Sequence, residues 1–144
     1  MMRRLLVCGF ATVLALWASA PVFAQAAPMP LDRPVSLPKA ITAVCAGIAE
    51  SQEDPRWAAY QVRVEFANAA NQYIAGVNLT LRQGRTVLAH LSCAGAWVLL
   101  QLPGGRYEVS ATRQDAPKAA AASAAFAPPV KGQKRVVLIF KAKS

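Results

Sequence analysis

The sequence predicts an all-β protein, an antiparallel Greek-key sandwich of about seven strands preceded by a short N-terminal helix or extended leader. Three observations carry that expectation. Apolar and polar residues alternate with a period of two through YQVRVEF, GVNLTLR and RYEVSATR, as strands with one buried face require. Turn-forming stretches such as Gln83-Gly84 and Pro103-Gly104-Gly105 punctuate the alternation at short, regular spacing. The 120 residues that remain after an export signal suffice for one modest domain with a single core.

The export signal is read from MMRRLLVCGFATVLALWASAPVFAQA. Arg3 and Arg4 precede an apolar run from Leu5 to about Ala20, and Val22-Phe23-Ala24 supplies the residues expected before cleavage. The cut is placed after Ala24. The run is too short for a spanning helix and is interrupted by Gly9 and Pro21. Cys8 stands too close to the arginines to be a lipidated first residue, so the mature protein is expected to be periplasmic or secreted and without a transmembrane segment. Residues 25–39, with four prolines and almost no apolar periodicity, read as a flexible Pro/Ala-rich leader, and residues 40–144 as the single folded domain.

Removing residues 1–24 takes two of the 16 basic side chains and none of the seven acidic ones, leaving 14 against seven, about +7. That balance favours anionic neighbours, which in an envelope means lipid head groups, lipopolysaccharide or acidic polymers. Along the sequence, however, Lys and Arg are dispersed, and only Lys131, Lys134 and Arg135 lie close together. The same cleavage leaves Cys45 and Cys93. In an oxidising compartment two cysteines suggest one disulfide closing a loop of nearly fifty residues, worth about 4 kcal/mol by chain entropy. Two buried free thiols or a metal pair are the alternatives, and no CxxC spacing or His/Asp cluster supports the metal.

In chain order, AITAVCAGIAESQEDPRWAA has an apolar patch followed by the acidic residues Glu50, Glu53 and Asp54, with Asp54 placed to cap a short helix opened by Pro55. Tyr60 to Phe66 follows as a strand with Tyr60, Val62, Val64 and Phe66 inward and Gln61, Arg63 and Glu65 outward, and Asn68 to Asn71 turns the chain. Val77, Leu79 and Leu81 face inward in the next strand, and Gln83-Gly84 reverses it into Thr86 to Leu91 as a hairpin. AWVLLQL is apolar almost throughout and suits an interior strand. After Pro103-Gly104-Gly105, Tyr107, Val109 and Ala111 alternate against Arg106, Glu108 and Ser110. The alanines of Lys118 to Val130 favour a helix, yet the position between two turns predicts an edge strand. RVVLIF, Arg135 to Phe140, is predicted as a central strand.

The array VNLTLRQGRTVLAHLSCAGAWVLLQLPGGRYEVSA resembles the carboxypeptidase regulatory-like, prealbumin-like domains in the form of small exported proteobacterial proteins. The matching positions are Val77, Leu79, Leu81, Gly84, Val87, Leu88 and Trp97, then Leu102, Pro103, Gly105, Tyr107 and Val109. The resemblance extends over about residues 45–141. It implies a seven-stranded Greek-key sandwich with Trp97 and Tyr107 packed in the core, and it is specific for fold rather than function. Cys93 departs from the usually polar position in that pattern, so a bridge to Cys45 would be a local addition pinning the N-terminal segment.

Chemistry is sparse. His90, the one histidine, alternates opposite Val87, Ala89 and Leu91 and is expected on the outward face, with Ser92 set on the opposite face, so no triad is expected. One histidine also excludes the multi-histidine site of the hydroxyisourate hydrolases, and the chain ends Lys-Ala-Lys-Ser rather than in their tail. The mature chain has one His, two Cys and Met29 as soft ligands, so no metal or cofactor is expected. Asn78-Leu79-Thr80 matches a glycosylation sequon but falls within a strand. The expected role is a non-enzymatic accessory domain that binds an envelope protein or an anionic surface component, and not nucleic acid. The alternative is a carbohydrate-binding module or carboxylate-using enzyme around Trp57, with Tyr73 as the second aromatic surface candidate.

Overall fold

The computed structural model describes residues 26–141, and the expected signal peptide lies outside them. Among the described residues the chain forms ten strands: β1 (Ala27–Pro28), β2 (Pro34–Leu37), β3 (Ile41–Ala46), β4 (Val62–Asn68), β5 (Val77–Gln83), β6 (Thr86–Cys93), β7 (Trp97–Gln101), β8 (Tyr107–Arg113), β9 (Ala122–Phe126) and β10 (Lys134–Phe140). They make two five-stranded sheets, ordered β1-β6-β5-β8-β9 and β10-β4-β7-β3-β2. This is the all-β sandwich that the alternation predicts.

The core lies between the sheets. Val62, Val64 and Phe66 from β4 and Val98 and Leu100 from β7 meet Val77, Leu79 and Leu81 from β5 and Tyr107, Val109 and Ala111 from β8. Alternate residues of each strand reach this layer because successive side chains point to opposite faces. Cys45 on β3 and Cys93 at the end of β6 form a disulfide through the core, with Cα atoms 5.5 Å apart and both residues 0% exposed. The bridge therefore joins the two sheets. Gly95 makes the close approach possible: a Cβ there would lie 2.1 Å from the Ala46 carbonyl oxygen.

Several elements differ from expectation. The segment expected as a flexible leader is paired. β1 runs parallel to β6 and β2 antiparallel to β3, while Met29 N–H donates to Ser92 O (3.0 Å) and Asp32 N–H to Cys45 O (2.8 Å). The sandwich thus begins near Ala27 rather than Ala40, and residues 27–37 strap one flank by joining both sheets. β3 lies in the segment that the sequence marks only as an apolar patch; Val44 and Ala46 are buried on its other face, so it lacks the alternation that marks a strand.

β10 is an edge strand, not a central one, and pairs parallel with β4 from Lys134↔Val62 to Phe140↔Asn68. Its inward Val136, Leu138 and Phe140 are buried, whereas Ile139 on the other face is exposed. In β6 a bulge opposite Leu81 and Arg82 leaves Leu88 as the extra residue, so Leu88 is buried and Val87, expected inward, is exposed. The alanine-rich segment does form an edge strand, because β9 pairs with β8 and Phe126 stacks on Tyr107 (ring centroids 5.9 Å).

A second apolar layer covers the outer face of the β10-β4-β7-β3-β2 sheet. After β3 the chain forms two short 3-10 turns, Ala49–Glu53 and Pro55–Ala59, which lay Trp57 over Val44, Ala46, Trp97 and Leu99. Asp54 caps the second turn as expected, accepting from Arg56 N–H (2.9 Å). Tyr60 belongs to this outer layer rather than to the inward face of β4, which starts at Val62.

Candidate functional site

Trp57 is 4% exposed, its Nε1–H donates to Ser51 O (2.6 Å), and the Arg56 guanidinium lies 4.7 Å from its ring centroid. Tyr60 packs edge-on against the same ring at 6.1 Å. It is therefore an anchor for the 3-10 turns, not the surface aromatic expected, and offers no ring face to a sugar. Tyr73 is 45% exposed as expected, but its ring packs edge-on to Trp97 (6.0 Å) and its hydroxyl donates to Glu65 Oε1 (3.1 Å).

Trp97 also sits in this outer layer and not between the sheets, correcting the placement that the resemblance implied. Tyr107 does lie in the core. Its hydroxyl donates to the Pro103 carbonyl (2.8 Å), pinning the turn that carries Gly105, and Gly105 has φ +145° with Gln83 so close that a Cβ would lie 2.8 Å from its Nε2. The β7–β8 turn therefore rests against the β5–β6 turn.

His90 lies on the outer face of the other sheet, with Nδ1 3.0 Å from Thr80 Oγ1. Ser92, two residues on, shares that face instead of opposing it, because a period of two returns the chain to the same side; its hydroxyl accepts from Gln114 Nε2 (2.6 Å). Each is tied to a different partner. Among the described residues, no three His, Cys, Asp or Glu gather as a metal-holding group.

Sequence reasoning missed Glu65, placed on the outward face of its strand, which is 0% exposed. It accepts from Arg135 Nε–H on β10, lies 3.2 Å from Arg63 Nε, and receives the Tyr73 hydroxyl. Arg63 in turn lies 4.5 Å from the Trp97 ring centroid. The hydrogen bond to Glu65 raises the Arg135 guanidinium above its ordinary pKa. Two cations and a phenol occupy the carboxylate, so the cluster fastens β10 to β4 rather than leaving a base free for chemistry. The continuous apolar run of β7 was the signal for it, since a strand buried on both faces needs a cover on each.

The feature with binding character lies at one end of the sandwich. Strand pairing brings the β2–β3 turn with Lys39, the end of β5 with Arg82 and the turn after it with Arg85, the β7–β8 turn with Arg106, and the β9–β10 loop with Lys131 and the first residue of β10, Lys134, to the same end. The registers require this: Leu37↔Ile41, Gln83↔Thr86, Arg82↔Glu108, Tyr107↔Phe126 and Val62↔Lys134 are all terminal pairs there. All six cationic residues are exposed, and among the described residues none makes an ion pair, since the salt bridges engage Arg56, Arg63, Arg113 and Arg135. Glu50 and Glu53 lie in the turn after β3, towards the opposite end, whereas exposed Glu108 stands at the basic end as the register partner of Arg82. A shallow depression of about 310 Å³, lined by Thr42, Ala59, Tyr60 and Gln101, opens beside the basic end.

No family model matches the chain, and no curated protein matches it. Among solved structures it is similar to a Klebsiella pneumoniae 5-hydroxyisourate hydrolase at 16% identity and a TM-score of 0.43, over 58% of this chain and 89% of that one. A likeness of that degree carries no functional argument. Among the described residues no helix is long and apolar enough to cross a membrane.

Proposed function

We propose that this is an exported, non-enzymatic binding domain of the carboxypeptidase regulatory-like kind, whose basic end engages an anionic component of the cell envelope. The observation that carries the reading is the convergence of Lys39, Arg82, Arg85, Arg106, Lys131 and Lys134, exposed and, among the described residues, without ion-pair partners, on one end of the sandwich. Like charges held together raise the local potential and draw anions, and they destabilise the fold slightly unless a partner neutralises them. Export is supported by the charged and apolar start of the chain and agrees with the disulfide. The side chains weighed for chemistry are engaged within the fold: His90 by Thr80, Ser92 by Gln114 and Glu65 by its arginines.

The test is equilibrium binding to lipopolysaccharide, together with capture of partners from envelope extract, for the wild type and for Arg82→Glu/Arg85→Glu/Arg106→Glu. Salt-sensitive binding that the triple variant loses is the expected result. Binding that ignores both salt and charge reversal, or no binding to any anionic component, would overturn the proposal.

A further inference from the structure

The β9–β10 loop carries Pro128, Pro129, Val130, Lys131, Gly132 and Gln133. Val130 is fully exposed, unlike the half-covered apolar residues elsewhere on the surface. The base of the loop is held firmly: Gln133 Nε2 donates to the carbonyls of Trp57 (2.7 Å) and Tyr60 (3.0 Å), and Lys134 N–H donates to Gln61 O (2.7 Å). A pinned base and two consecutive prolines limit the conformations of the tip. An apolar side chain is thus projected into solvent from the end of the molecule that carries the six exposed cations.

We infer that the basic end docks on an anionic lipid surface, with Val130 entering the head-group region while Lys39, Arg82, Arg85, Arg106, Lys131 and Lys134 neutralise phosphates around it. The inference rests on the proposed anion-binding role and narrows it to a bilayer. A soluble acidic polymer would use the cations equally well but would have no use for a protruding valine. A lipid surface uses both, because basic residues near it gain from its negative potential and an apolar tip gains from leaving water. The same end also carries Val87, which the β6 bulge turns outward two residues from Arg85.

The experiment uses the processed, disulfide-bonded protein and co-sedimentation with vesicles of phosphatidylglycerol and phosphatidylethanolamine, against vesicles of phosphatidylcholine alone. Binding to the anionic vesicles only is expected. Lys131→Glu/Lys134→Glu should weaken it by more than about twentyfold, and Val130→Asp by about tenfold. Val130→Trp should bind at least as well as the wild type, and its added fluorescence should shift to the blue and be quenched by brominated lipid; Trp57 and Trp97 are buried and supply a constant background. Unchanged binding of Val130→Asp, or no quenching of Val130→Trp, would overturn insertion. Retention on a polyanion column without vesicle binding would overturn the lipid inference and leave the broader anion-binding role standing, whereas failure on both supports would remove the two together.

Discussion

Arg135 on the edge strand β10 donates to the carboxylate of Glu65, a residue of β4 that is 0% exposed although it points away from the core between the sheets. The contact explains how a parallel edge strand is secured. Parallel pairs are slightly less stable per residue than antiparallel ones, and this strand has a neighbour on one side only. An ionic fastening beneath Trp97 and Tyr73 adds a tie between the two strands.

Glu65→Ala should therefore cost about 3 kcal/mol, because it leaves Arg63 and Arg135 without their carboxylate and empties a filled site. Arg135→Ala should cost about 1 kcal/mol, since that guanidinium is largely exposed while Arg63 and Tyr73 remain on Glu65. Urea denaturation of both variants checks the ranking, and an equal cost would mean that Arg135 alone holds the carboxylate.

The Cys45–Cys93 bridge closes a span with a sequence separation of 48. Replacing both cysteines with alanine should lower stability by about 4 kcal/mol. Thiol titration of the denatured, unreduced protein should find no reactive thiol at either position.

Trp57→Ala should destabilise the protein by about 3–5 kcal/mol, as the loss of a packed aromatic does. It should detach the 3-10 turns whose bond to Ser51 it supplies. Thermal unfolding combined with glycan-array binding separates the two roles: a sugar affinity abolished at unchanged stability would restore the binding platform that burial argues against.

The carboxyl of Asp54 is held below its ordinary value of 3.8, chiefly by the Arg56 side-chain hydrogen bond and then by the Arg56 backbone N–H. A group whose folded pKa is depressed contributes stability above its unfolded value and loses it as pH falls through the folded one. The melting temperature should accordingly decline as acid is added below that value. In Asp54→Asn, which keeps a good capping side chain but no charge, this part of the decline should be shallower.

β5, β6 and β8 were legible because each has one buried face and a turn at Gly84 or Gly105 at one end, and β7 because an unbroken apolar run marks a strand buried on both faces. β3 escaped because Val44 and Ala46 are buried on the side where polar residues would have revealed a strand. β10 looked central because Val136, Val137, Leu138 and Ile139 form an unbroken apolar run, yet nothing in their order tells that Ile139 stays exposed. The basic end was illegible for a different reason. Its six cations stand on or beside four connections separated by whole strands, and only strand pairing brings them to one place.

The N-terminal strap also determines how copies of the molecule can stick together. β1 is two residues long and ends in proline, and β2 begins with Pro34 and is followed by Pro38, so this flank presents no continuous row of N–H groups to a neighbouring chain. β9 and β10 on the other flank keep open edges. Strand-to-strand addition has one usable side per molecule, and two molecules meeting there would use up both. Fibrous growth needs two such sides. It is therefore conditional on first peeling the strap from the strands that the disulfide joins beneath it.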